Sequence, residues 1–230
     1  MKRALDIAEL VMVLLVPAAL ITCALLGVRN SGVLTASIAG VAVLPFFLSF
    51  ERSKPRARDL MPVVVLTAIA SAGRLLFAPF PGVKPVAAIV IVGGLSFGRQ
   101  AGFLIGALTA LVSNLFFGQG PWTPWQMYCW GLMGYVAGAL AQTSFMKGRA
   151  GVCAYGFAAC LVYGLVMDSW YVVSYVWPLS WKPALAAYAA GLPMTLTQAV
   201  ATVLFLLVIL APWSRKFQHF KRKYGICQLD

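Results

Sequence analysis

The sequence predicts an all-α polytopic membrane protein with about eight transmembrane helices. Three observations carry that expectation. Of the 230 residues, 61% are hydrophobic, and the mean hydropathy is +0.87. Only 10% are Asp, Glu, Lys or Arg, against about 25% in a soluble domain. The apolar residues also fall in successive stretches of spanning length, with the basic residues gathered between them. One soluble core of this size could not hide so much apolar surface. A bilayer removes the difficulty, because lipid solvates the outward faces.

Taken in order, the apolar stretches place spans at about 7–27, 33–49, 60–77, 84–98, 100–118, 124–143, 152–176 and 189–212; a crossing takes about 20 residues. The first contains Glu9 and Pro17 and lacks a small-residue cleavage pattern, so it reads as a retained helix. The fourth is short. It follows Pro79, Pro81 and Pro85, and only Arg99 and Gln100 separate it from the fifth. That pair reads either as two crossings or as a re-entrant element.

Charge placement sets the orientation. With the N-terminus in the cytoplasm and each segment crossing once, only Arg29, Lys84 and Lys182 of the 18 Lys and Arg fall outside, and Arg74 falls within a span. The rest sit in inner loops or the tail. Removing any one later span inverts the downstream loops, so eight spans with both termini inside is the expectation. The same distribution argues against nucleic acid as the partner of a chain whose net charge is +12. Cys23, Cys129, Cys153, Cys160 and Cys227 show no CxxC or metal-ligand spacing. The single histidine, His219, lies in the basic tail.

The costly residues cluster at one depth. Arg74 sits near the outer end of the third span, where a charge is expensive unless it snorkels or finds a partner. Asp168, in the outer part of the seventh span, is the acid that could pair with it. Asn114 and Gln126 flank the same level. Trp122, Trp125, Trp130, Trp170, Trp177 and Trp181 all lie at or near outer ends, and only Trp213 lies at an inner end. Interfacial anchoring explains aromatic belts on both sides; a ligand mouth lined by indoles explains the one-sided bias better. The outer connections 77–85, 118–125 and 177–183 are rich in Pro, Gly and Trp, and proline limits the conformations they lose on ordering. That suits a structured cap over a pocket.

Small residues recur every four positions at Gly98, Gly102, Gly106 and Ala110, at Gly134 and Gly138, and at Ala68 and Ala72. Such positions share a helix face and permit close approach in lipid. The spacing alone leaves open whether the partner helix is internal or belongs to another protein. Enzymatic chemistry is not expected. There is no phosphate-binding GxxxxGK[ST] loop and no HExxH, and the membrane segments lack the bases that hydrolysis needs. No cofactor is expected in this chain.

Several runs resemble one known family. They are Ala68-Ile-Ala-Ser-Ala72-Gly-Arg74, then Ile91-Val-Gly-Gly-Leu-Ser-Phe-Gly98 leading to Gly102, Gly106 and Asn114. They continue through Gly118-Gln-Gly-Pro-Trp122-Thr-Pro-Trp125-Gln126-Met127 and Trp130-Gly-Leu-Met-Gly134-Tyr-Val-Ala-Gly138. Together they are similar to the substrate-binding S component of energy-coupling factor (ECF-type) vitamin transporters, over about residues 60–212. The resemblance implies a six-helix core, here the last six spans, with a vitamin pocket on the extracellular side. It implies that Ala68 and Ala72 dock onto a transmembrane coupling subunit. Two cytoplasmic ATPase subunits would use ATP, which fits the missing nucleotide loop.

The expected organisation is therefore residues 1–59 as two additional helices and a basic cytoplasmic loop, 60–213 as the binding core, and 214–230 as a basic cytoplasmic tail. The expected substrate contacts are Arg74, Lys84, Asn114, Trp122, Trp125, Gln126, Trp130, Asp168 and Trp170. The expected location is a prokaryotic plasma membrane. The subgroup resemblance favours cobalamin slightly, with other vitamins open. A stand-alone secondary carrier and a non-transporting scaffold are the alternatives.

Overall fold

The computed structural model describes residues 32–52, 55–176 and 180–225, with Val11, Ala18 and Thr22 besides. The expected span 7–27, Trp177, Cys23 and Cys227 lie outside the described residues or nearly so. The described chain is helical: α1 Gly32–Arg52, α2 Ala57–Leu76, α3 Val86–Phe97, α4 Arg99–Phe117, α5 Trp122–Ala139, a four-residue α6 Ser144–Lys147, α7 Arg149–Tyr175 and α8 Trp181–Tyr224. Among the described residues, α2, α4, α7 and α8 are long and apolar enough to cross a membrane by length and composition.

α3 is the exception, and its sequence says why. At 12 residues it is about 18 Å long, short of a hydrocarbon core of about 30 Å. It is apolar all round, and a helix of that kind is buried rather than half exposed. Val86 through Gly94 and Phe97 are all buried. α3 thus forms the centre of the bundle, packed against α2, α4, α5 and α8. Gly98 ends it at φ +92°, a backbone conformation that glycine adopts without a Cβ penalty. The chain re-enters a helix at Arg99.

The glycine stripe of α4 packs inside this chain. A Cβ on Gly102 would collide with the backbone carbonyl of Gly134, and one on Gly106 with that of Trp130. A Cβ on Gly134 would in turn meet the carbonyl of Gly102. Two backbones in such contact gain van der Waals energy that lipid cannot supply. The α4–α5 seam is therefore the bundle's tightest junction, and it positions α5 relative to the end of α2.

Two helix starts differ from expectation. Trp122–Trp125, read from sequence as part of an outer connection, forms the first turn of α5. Trp181–Pro183 likewise opens α8, about two turns before the expected start at 189. In both, proline sits in the first turn, where its missing N–H has no helical acceptor to serve. Proline marks a helix start here rather than a loop. The run 77–85 is a true connection, held by turn hydrogen bonds Phe80 N–H to Phe77 O (3.1 Å) and Val83 N–H to Phe80 O (3.2 Å).

α8 has 44 residues, about 66 Å, so it continues well past one bilayer thickness. The basic stretch after Trp213 extends the helix. Phe217 packs on Phe97 with ring centroids 5.1 Å apart, and Lys221 Nζ donates to the Ser96 carbonyl at 2.9 Å. These contacts fasten the basic end of α8 to the end of α3 remote from the polar residues.

α1 is part of the packed bundle. It lies against α4, α5 and α7. Phe46 stacks on Phe103 at 3.9 Å between centroids, and Gln100 Nε2 donates to Ser49 Oγ at 2.7 Å. Ala68 and Ala72 on α2 remain exposed, beside the exposed Val64, Val65 and Ile69.

Candidate functional site

A cavity of about 240 Å³ opens at the end of the bundle where α2, α4 and α7 finish and α5 and α8 begin. Its wall takes Arg74 from α2, Gly82 and Lys84 from the 77–85 connection, and Val86 from α3. Gln126 and Trp130 come from α5, Tyr163, Gly164, Met167 and Asp168 from α7, and Gly191, Met194, Thr195 and Gln198 from α8.

The polar wall is a single chain of hydrogen bonds crossing four helices. Arg74 is 7% exposed and Asn114 fully buried. Arg74 Nη1 donates to Ser113 Oγ and to Asn114 Oδ1 at 2.6 Å. Asn114 Nδ2 donates to Gln126 Oε1 at 2.7 Å and to Thr123 Oγ1 at 3.0 Å. Gln126 Nε2 donates to the Tyr163 hydroxyl at 3.2 Å. Each amide is thereby oriented at both its oxygen and its nitrogen, and a buried network of this kind holds a binding surface rigid. The aromatic wall is just as ordered. Trp130 and Tyr163 stack at 5.9 Å and 26°, and the Arg74 guanidinium lies 4.5 Å from the Phe117 ring centre and 5.1 Å from that of Trp130. Such cation–π contacts offset part of the cost of burying the charge.

Two of these cavity side chains keep an unsatisfied donor. Arg74 Nε and Trp130 Nε1 are buried without a hydrogen-bond partner. Lys84 Nζ stands 5.4 Å from the same Phe117 ring that Arg74 covers. Burial first, and the nearby guanidinium second, push the Lys84 ammonium below its ordinary pKa.

The expected ion pair between Arg74 and Asp168 is not formed. Both line the cavity, but the guanidinium's hydrogen bonds go to Ser113 and Asn114. Asp168 lies instead against α8, where a Cβ on Gly191 would come within 2.5 Å of its Oδ2. Glycine at 191 makes room for the carboxylate.

Of the residues singled out from sequence, Arg74, Lys84, Gln126, Trp130 and Asp168 meet at the cavity wall. Asn114 stands behind it, holding Arg74. Trp125 and Trp170 lie elsewhere, in a separate apolar cluster with Phe46, Phe103 and Tyr128 beneath α1. Trp122 is partly exposed, with its ring against Gly120. The sequence reading did not single out Tyr163, Thr195 or Gln198. Helical spacing contains the signal: Gly164 and Asp168 are four apart on α7, and Gly191, Thr195 and Gln198 follow at four and seven on α8, one face each.

Among the described residues no group of three or more His, Cys, Asp or Glu side chains could hold a metal ion. The family model described as "ECF-type riboflavin transporter, S component" matches residues 57–215. The chain belongs to the ECF-type transporter S components. The match takes in α2 through most of α8 and leaves α1 outside. No curated protein and no solved structure matches the chain. This S component is thus a subunit of a transporter family, with multiple membrane-spanning helices and a cavity formed by the matched region.

Proposed function

We propose that this S component is the substrate-capturing subunit of an ATP-driven importer for a vitamin-type small molecule. The observation that carries the reading is the cavity itself: a concave site with aromatic walls and a few oriented polar groups, the usual form of a small-molecule site. Captured substrate enters from the outer side of a prokaryotic plasma membrane, with both termini in the cytoplasm. The chain holds no cofactor. A transmembrane coupling subunit docks on α2 at Ala68 and Ala72, and two cytoplasmic ATPases hydrolyse ATP. In support, that face of α2 is exposed and α1 packs on other helices.

Size bears on which vitamin. A volume of about 240 Å³ equals that of about eight waters in the liquid and falls below the ~300–1,000 Å³ of drug-sized sites. A corrin such as cobalamin is several times too large unless the outer connections move far apart. The matched family is described by riboflavin, a flat heteroaromatic molecule. The stacked Trp130 and Tyr163 walls suit a flat ring better than a corrin.

The test is native mass spectrometry of the chain extracted gently from its own membranes. A bound small molecule together with co-purifying ATPases is the expected result. A chain that transports solute alone in liposomes under a cation gradient is a stand-alone carrier. A chain that never holds a small molecule is a scaffold, and the proposal falls.

A further inference from the structure

We propose that the substrate of this cavity carries an oxyanion, a carboxylate or phosphate, gripped by Arg74 and Lys84, while Asp168 accepts a hydrogen bond from another part of the same molecule. The inference rests on the reading of the chain as a substrate-binding subunit and names the class of substrate.

The cavity wall carries two cations and one acid. Arg74 and Lys84 both stand within cation–π distance of the Phe117 ring, 4.5 Å and 5.4 Å from its centre. The acid does not neutralise them. Asp168 is held on the α7–α8 side, in the space opened by Gly191, and forms no ion pair with Arg74. Arg74 is more than nine-tenths buried, yet its acceptors are the neutral oxygens of Ser113 and Asn114. Its Nε has no acceptor. Lys84 has no hydrogen bond or ion pair with another described residue.

Two cations on the wall of a cavity, with no anionic partner between them, are an oxyanion's complement. A carboxylate offers about four lone-pair positions, and charge-assisted bonds are roughly twice as strong as neutral ones. A water can satisfy a donor but does not offset the repulsion of two like charges in a low-dielectric site. An uncharged ring system fills apolar space and leaves the same deficit. Asp168 on the same cavity lining is the counterpart: it repels a second anion and selects a ligand that also carries a donor, an amide, hydroxyl or amine N–H or O–H.

The test uses the purified full-length chain and matched pairs that differ in charge: nicotinate and nicotinamide, pantothenate and panthenol, biotin and biotinamide, flavin mononucleotide and riboflavin. The first three pairs probe a carboxylate and the last a phosphate. In calorimetric titration, the member that binds is expected to be an acid, at least about tenfold tighter than its neutral partner. Lys84→Gln is expected to bring that ratio towards one, and Arg74→Gln to remove binding. Lys84 lies in a connection, so its variant should keep the fold even if the buried Arg74 substitution does not. A neutral member that binds as well as its acid partner overturns the proposal while leaving a binding subunit standing. So does an acid-to-neutral ratio unchanged by Lys84→Gln. If no pair binds, the molecule retained from native membranes decides by its own charge: an acid sustains the proposal, a neutral compound overturns it. No retained molecule at all removes the binding-subunit reading as well.

Discussion

Trp130 and Trp125 stand five residues apart on one helix and are both buried, but they belong to different parts of the molecule. Trp130 faces the cavity, stacked on Tyr163 and close to the Arg74 guanidinium. Trp125 is fully buried among Phe103, Phe46 and Trp170, under α1. Both regions bury indole N–H groups without acceptors, but only the first borders a cavity; the other is filled by the chain itself. Residue type and helix are the same in both, and the two positions are little more than one turn apart. The difference lies in what covers each face of α5: the added helix α1 closes one side, and the wall of α7 and α8 leaves room on the other.

That contrast can be broken most severely at the seam that sets α5 in place. Gly106→Leu should abolish accumulation of folded protein, because the new side chain would have to pass through the Trp130 carbonyl; fluorescence-detected size-exclusion chromatography reads this directly. A monodisperse, ligand-binding variant would mean that α4 and α5 are not in backbone contact.

Next in size is the pair of tryptophan truncations. Trp125→Ala and Phe46→Ala should each cost about 3–5 kcal/mol of stability, the usual loss for a buried aromatic, while leaving Kd within about threefold for the retained substrate. Trp130→Ala should do the reverse in binding, weakening it by about 2 kcal/mol or more, as the loss of an aromatic anchor does. Thermal unfolding and calorimetric binding on the same samples separate the two. Equal loss of binding in Trp125→Ala would merge the two regions into one site.

Asn114→Leu comes third. It removes the acceptor of Arg74 and the donor to Gln126, so two buried polar groups lose partners, at about 1–3 kcal/mol each. Both stability and affinity should fall, unlike in either tryptophan variant. The smallest effect belongs to Ala68→Leu combined with Ala72→Leu. Those positions are exposed, so stability should change by no more than about 0.5 kcal/mol and Kd should hold. Pull-down of the coupling subunit and transport in proteoliposomes should be lost. Lost binding with normal assembly would exchange the roles of the two faces.

Much of this is legible in the residues. Hydropathy alone places α1, α2, α4 and α7 to within a few residues, because a lipid-facing helix must be apolar over a full crossing. The cost of Arg74 in that setting marks one end of the bundle as special, and Asn114, Gln126 and Asp168 follow at the same level. The tryptophans misled in part. Their sequence positions mark an outer end, but a helix turns about 100° per residue, so neighbouring indoles face different surroundings. Proline misled in the same way, marking loops at 121–124 and 183 where it opens helices.

By itself, then, the sequence determined the class of molecule, the order of its helices and the depth of its polar residues, since these follow from transfer of each side chain between water and lipid. Only the tertiary structure decided that the glycine stripes close on each other rather than on a partner, and that α1 seals Trp125 while Trp130 stays at the cavity. It also decided that Arg74 bonds Asn114 and forms no ion pair with Asp168. Those choices depend on which helix faces meet, and distances between segments far apart in the chain are set by packing rather than by local composition.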